Sequence, residues 1–207
     1  MIFEPNLFSE PVRPGLTYRD DFLSEAEATE LVARINSVEL TPFQFQQWTG
    51  KRLTRSFGWS YDFTSGRLEP TRPMPGWLLP IRDRAAAFAG LEPDELVQAL
   101  LIRYDPGAGI GWHRDRPAFE HVIGISLGES AAMRFRRRAG TKFERRSVPL
   151  GTRSIYHLTG EMRHDWEHSI AGMQATRWSI TFRSLARGAG GRAAFANGRT
   201  RSDARAG

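Results

Sequence analysis

Apolar residues recur along this chain at two different periods, and the period changes near residue 96. Before that point Ala28, Leu31, Val32 and Ile35 stand at i, i+3, i+4 and i+7, one face of a helix. Ser24 and Glu27 precede that face at capping-box spacing, so each side chain can satisfy a free amide of the first turn. The helix is expected to end at Asn36 or Ser37. A second helix fits 75–89, with Trp77, Leu78, Ile81, Ala85 and Phe88 on one face and Gly90 as its stop. From Leu96 onward the pattern becomes short strands, predicted at 97–104, 122–127, 133–137, 142–148, 154–158 and 177–184. Gly, Pro or charged turns separate them. Short strands at this spacing point to a sandwich or barrel. The expected architecture is therefore two helices followed by a β core.

Residues 1–21 contain Pro5, Pro11 and Pro14 and read as an extended arm. Residues 40–74 mix aromatics (Phe43, Phe45, Trp48, Phe57, Trp59, Tyr61, Phe63) with basic residues (Lys51, Arg52, Arg55, Arg67, Arg72). Within them 55–63 is predicted as strand or hairpin. Such a mix suits a surface that stacks bases and neutralises phosphates, although most of these aromatics are expected in a β core.

The chain has 207 residues, 40% hydrophobic and 25% charged, which suits one globular domain. No apolar run is long enough to span a bilayer. The first six residues lack the basic and apolar regions of a signal peptide, so a cytoplasmic location is expected. The absence of cysteine excludes disulfides, thiolate zinc sites, iron–sulfur clusters and a cysteine nucleophile. Of the net charge of +6, residues 186–207 supply +4 through five arginines against Asp203. This stretch reads as a disordered basic tail on a mildly basic domain. Composition alone therefore argues only weakly for a nucleic-acid partner.

The candidate chemistry lies between Gly111 and Arg183. His113 and Asp115 are one residue apart, and i and i+2 of a strand share a face. A distal histidine would complete the two-His, one-carboxylate triad of non-haem Fe(II) oxygenases, leaving positions open for oxygen and a co-substrate. His121, His157, His164 and His168 are the candidates; His168 is favoured and His164 is its main rival. His164 to His168 also matches H-x-x-E-H, a zinc-protease motif. That motif needs a helix and a downstream ligand, but no Glu or His follows His168 and the only later Asp is Asp203. Further on, Arg177, Ser179, Thr181 and Arg183 alternate with Trp178, Ile180 and Phe182, so the polar set shares one face. Two inward arginines would be costly to bury unpaired. A dicarboxylate held inside the barrel would resolve this, because guanidinium binds carboxylate bidentately.

Taken together, His113-Arg114-Asp115, His168 and R-x-S-x-T-x-R resemble the AlkB family of 2-oxoglutarate- and Fe(II)-dependent dioxygenases. Arg103-Tyr104-Asp105-Pro106-Gly107-Ala108 and Ile125-Ser126-Leu127-Gly128 add to the likeness, which covers about residues 50–185. The resemblance implies a mainly β fold with flanking helices, a double-stranded β-helix (jelly roll) at about 96–185, and a nucleotide-recognition lid at about 40–74, all in one domain over 1–185. It implies Fe(II) on His113, Asp115 and His168, and 2-oxoglutarate on Tyr104, Arg177 and Arg183, with Ser179 and Thr181 lining the same face and O2 as oxidant. Trp59, Tyr61 and Arg55 fall in the lid that meets the target base. The activity implied is oxidative dealkylation of damaged nucleobases in DNA by a monomer without a membrane partner. The alternatives are an RNA modification, a protein side chain, or a silent nucleic-acid-binding domain. Three positions depart from the best-described repair enzymes: Ile102 and Ser179 stand where those have Asn, and Pro117 stands where they have a base-reading Asp.

Overall fold

The structure is a computed structural model that describes residues 14–45, 48–62 and 66–187. β1 (Leu16–Arg19) leads into α1 (Glu25–Asn36), followed by β2 (Thr41–Phe45), β3 (Trp48–Phe57), β4 (Trp59–Asp62) and β5 (Arg67–Pro70). A 3-10 turn, Gly76–Leu78, runs into α2 (Leu79–Ala89). Then come β6 (Leu96–Tyr104), β7 (Ile110–His113), β8 (Phe119–Gly128), β9 (Ala131–Ala139), β10 (Lys142–Leu150) and β11 (Ile155–Leu158). A short helix, α3 (Gly160–His164), precedes β12 (Glu167–Ile170) and β13 (Arg177–Leu185).

Strand parity decides how these elements stack. A seven-stranded antiparallel sheet runs β1-β11-β8-β13-β6-β3-β2, and a four-stranded one runs β10-β9-β12-β7. In β13, Ile180 and Phe182 pack into a cluster with Leu31 and Ile35 of α1 and Ile81 and Ala85 of α2. Each such buried Leu, Ile or Phe side chain contributes about 2 kcal/mol of transfer free energy, which holds the helices on that face. The alternate residues, Arg177, Ser179, Thr181 and Arg183, face the space between the sheets. A second cluster closes that space, joining Ile102 and Val122 of the large sheet to Met133, Phe135 and Val148 of the small one. Two facing antiparallel sheets with helices against one make the mainly β jelly roll that the resemblance implied, a form of the sandwich or barrel that the strand pattern predicted.

α1 starts as expected: the Ser24 hydroxyl accepts from Glu27 N at 3.2 Å and the Glu27 carboxylate accepts from Ser24 N at 2.8 Å. The second helix differs from 75–89, because its first turn is 3-10 and α2 begins only at Leu79. The N-terminal arm is partly strand: β1 pairs with β11 along the edge of the large sheet. Residues 1–13 and 188–207, including nearly all of the expected basic tail, lie outside the described residues. α3 has no counterpart in the sequence reading, and β7 and β12 are expected there only as strands without bounds at His113 and at His168, since elements of four or five residues carry too little periodicity to register.

Candidate metal and oxo-acid centre

β7 and β12 bring two histidines face to face. His113 and His168 are register partners across this antiparallel pair, and their ring centroids lie 4.2 Å apart. Asp115 joins them from beyond the end of β7 rather than from the strand itself. The strand stops because the chain turns at Arg116 and Pro117, where Phe119 N donates to Arg116 O at 3.0 Å and proline has no donor for a ladder. Buried Arg163 clamps that turn, its Nη2 donating to Arg116 O and Phe119 O, both at 2.6 Å. One ligand atom from each of His113, Asp115 and His168 lies within 4.8 Å of the others.

The protonation states suit a divalent cation. His113 Nδ1 is 2.9 Å from the Gly111 carbonyl, so it carries the proton and leaves Nε2 free. Burial lowers the pKa of His113 and, with His113 beside it, that of His168 to about 3, so both rings are neutral. Burial alone would raise the pKa of Asp115, but Arg183 foremost, then the two histidines, hold it below the usual carboxylate range. Arg183 places Nε at 2.9 Å and Nη2 at 2.7 Å from Asp115 Oδ1. That leaves Oδ2 turned toward His168 Nε2, 3.5 Å away. Arg183 Nη1 donates to Gln98 Oε1 at 3.0 Å. Two neutral imidazoles and one ionised carboxylate are a donor set that Fe(II) accepts.

Behind this group lies a cavity of about 690 Å³. Arg177 is only 1% exposed, and its Nη2 donates to Ser126 Oγ at 2.8 Å. Its Nε and Nη1 have no hydrogen-bond partner among the described residues, and the guanidinium carbon sits 5.4 Å from the Tyr104 ring centroid. A buried cation with two idle donors is a receptor for a carboxylate. Ser179 and Thr181 line the same wall, as does Tyr156, which lies over Gly124 where any Cβ would collide with its ring.

The comparisons agree with this chemistry. A family model described as the 2OG-Fe(II) oxygenase superfamily matches residues 15–184. The chain belongs to this superfamily. Within it the chain is of the AlkB type, as its motifs implied. ALKBH8 of Mus musculus, named tRNA (carboxymethyluridine(34)-5-O)-methyltransferase, is 30% identical over 174 residues, which cover 80% of this chain and 25% of that protein. The Arabidopsis thaliana protein named Alkylated DNA repair protein ALKBH8 homolog is 25% identical, over 76% of this chain and 51% of its own length. The chain thus spans about a quarter of the mouse protein and half of the plant one. The solved structure of OsALKBH1 shares the fold, with a TM-score of 0.66 at 15% identity over 84% of this chain and 99% of that one. The superfamily uses Fe(II), 2-oxoglutarate and O2, and the donor set and the idle Arg177 nitrogens fit the first two.

An AlkB-type chain also needs a place for its substrate, and here the residues expected in a lid divide. Tyr61 lines the cavity, with the Arg116 guanidinium carbon 4.8 Å from its ring centroid. Trp59 and Arg55 are not among the lining residues; Arg55 points the other way, to Glu39 O at 2.6 Å and Glu39 Oε2 at 3.1 Å. The alternation of β3 explains this, because Arg52, Thr54 and Ser56 take the inner face. Arg52, Gln98 and Ser126 are site residues the sequence reading did not select. The rival histidines are engaged elsewhere: His164 Nε2 is 2.8 Å from Glu120, and His121 Nδ1 is 2.9 Å from His157 Nε2. α3 ends at His164 while His168 is on a strand, so the two share no helix face as a zinc-protease motif requires.

Proposed function

We propose that this chain oxidises a substituent on a nucleobase, with RNA as its nucleic acid. The observation that carries this reading is the outer face of the small sheet. Residues 131–150 hold seven Arg or Lys against one Glu. On that hairpin, Arg136 lies 4.6 Å from the Trp112 ring centroid and 4.8 Å from that of Phe143. Arg134 stands 5.3 Å over Trp112, while Arg138 and Arg145 stand 5.3 and 5.6 Å from Phe143. Trp112 also lines the cavity, so this face of cations and aromatic rings runs to the rim of the site. Such a surface tracks phosphates and stacks bases. The expectation that basic charge gathers in the tail overlooked it.

In this reading His113, Asp115 and His168 hold the iron, and Arg183 fixes the carboxylate that binds it. Arg177 and Tyr104 receive the far carboxylate of 2-oxoglutarate. Iron with 2-oxoglutarate and O2 supplies the oxidising equivalent, with succinate and carbon dioxide as co-products. A flipped base needs a stacking face, and Tyr61 offers one inside the cavity. RNA is favoured because the mouse relative is named for a tRNA uridine. Dealkylation of DNA, as in the plant relative's name, is the second reading.

The test loads the protein with Fe(II) and 2-oxoglutarate and offers two probes, each scored by mass. One is an RNA hairpin with a carboxymethyl or methyl-ester substituent on a loop uridine; the other is a set of methylated and etheno DNA oligonucleotides. Oxygen added to the RNA substituent supports the proposal. Alkyl loss from DNA alone moves the function to repair. Succinate with no change in either probe moves it to a protein side chain, and no succinate leaves a binding module. Separately, combining Arg134→Glu, Arg138→Glu and Arg145→Glu should weaken hairpin binding at least ~10-fold and reduce the slope of log K against log salt by about 2. An unchanged slope would remove this face from the binding site.

A further inference from the structure

Five arginines line the cavity, and the chemistry described so far engages two, Arg177 and Arg183. Arg114 donates to the His164 carbonyl at 3.4 Å, and Arg116 lies against the Tyr61 ring. Arg183 is forked onto Asp115. Arg177 offers its idle nitrogens to one carboxylate of 2-oxoglutarate, whose other end belongs at the metal. Arg52 is the fifth. It stands on β3, one step beyond the register pair of Leu53 with Arg103, and so lies beside Tyr104 of β6. It is 8% exposed and lines the cavity with Thr54 and Ser56. Its guanidinium carbon is 3.8 Å from the Phe43 ring centroid, and no described residue accepts a hydrogen bond from it or forms an ion pair with it. The ring covers one face of a planar cation whose donors lie on its edge.

A guanidinium this buried and unpaired is costly, because burial penalises its charge and Phe43 only partly compensates. An apolar side chain of similar volume would serve packing better. The cost makes sense if an anion arrives, and both carboxylates of the co-substrate already have a destination. The missing anion must therefore come with the substrate.

We infer that Arg52 forms a second anion subsite of the cavity and receives an oxyanion of the target nucleotide. This rests on the nucleic-acid reading above. The oxyanion is a phosphate flanking the target base or a carboxylate carried by the base; both present the same paired oxygens to a guanidinium edge.

The experiment uses Arg52→Gln and Arg52→Lys in protein loaded with Mn(II) and N-oxalylglycine, an inert pair standing in for iron and 2-oxoglutarate. The probe is an RNA hairpin with a carboxylate on C5 of a loop uridine, and binding is read by fluorescence anisotropy. Arg52→Gln should raise Kd at least ~10-fold, and Arg52→Lys should recover part of the loss. The melting temperature of unloaded Arg52→Gln should not fall, because an uncompensated cation has been removed. The KM for 2-oxoglutarate, read from succinate formation, should move less than ~2-fold. Two further probes locate the oxyanion: a methyl ester in place of the carboxylate, and a methylphosphonate in place of the flanking phosphate. The neutralised group that abolishes the difference between parent and Arg52→Gln is the ligand.

A difference that survives both replacements overturns the inference, as does equal binding by parent and variant. A raised KM for 2-oxoglutarate with unchanged hairpin binding also overturns it, by moving Arg52 into the co-substrate site. If the parent protein binds no nucleic-acid probe, the nucleic-acid reading has failed, and that is visible before Arg52 is changed.

Discussion

His113→Ala lowers 2-oxoglutarate turnover to background, more than ~1,000-fold below the parent protein, a loss of about 4 kcal/mol in transition-state stabilisation. The expectation comes from how little redundancy the centre has. His113, Asp115 and His168 are the only group of its kind among the described residues. The other histidines are engaged, His164 with Glu120 and His121 with His157, so none can swing in as a replacement. His164→Ala is therefore the informative control. It removes the ligand that sequence alone could not dismiss, and it should leave succinate formation within ~2-fold of the parent. Iron binding should follow the same order, measured by titration under anaerobic conditions so that loss of metal and loss of chemistry are separable. Turnover persisting in His113→Ala and vanishing in His164→Ala would reassign the centre.

That control shows where the sequence was informative and where it was not. β13 was legible because it is long and because Ile180 and Phe182 anchor its parity: once they belong to the helix-facing core, Arg177 and Arg183 must face inward. β7 and β12 carry two of the three proposed ligands on four residues each, too short for a period to emerge. Their pairing, which sets His113 opposite His168, is a tertiary fact with no local signal. The stretch expected as a lid shows the same difference in reverse. Arg52 and Arg55 look alike in a basic, aromatic stretch, yet Phe57 lies in the helix-facing core. Alternation from Phe57 sends Arg55 outward and Arg52 inward, so the signal existed but needed its anchor. The two positions that depart from the repair enzymes in place of Asn, Ile102 and Ser179, are Cα partners across β6 and β13. They amount to one local change in the cavity wall. Charge was obscured by averaging: a domain that is mildly basic as a whole concentrates its cations on the β9–β10 hairpin.

Arg177→Met separates stability from co-substrate binding, and the two should move in opposite directions. In the unloaded protein Arg177 is 1% exposed with two nitrogens unpaired, and burial depresses its pKa. Breaking up a buried pair is costly, but here no anion is present to be orphaned; Ser126 loses one hydrogen bond. Replacing an uncompensated cation by an apolar side chain of similar length should therefore hold or raise the melting temperature of the unloaded protein. Binding should move the other way. Truncating one partner of a buried, hydrogen-bonded charge pair costs about 2–5 kcal/mol, so the KM for 2-oxoglutarate should rise at least ~30-fold. The two effects meet in one measurement. Saturating 2-oxoglutarate with Mn(II) should raise the melting temperature of the parent, because a ligand that binds only the folded state stabilises it by mass action. The same addition should raise that of Arg177→Met far less. A variant that is destabilised when unloaded, yet gains as much from 2-oxoglutarate as the parent does, would make Arg177 a structural residue and leave the carboxylate to be held elsewhere in the cavity.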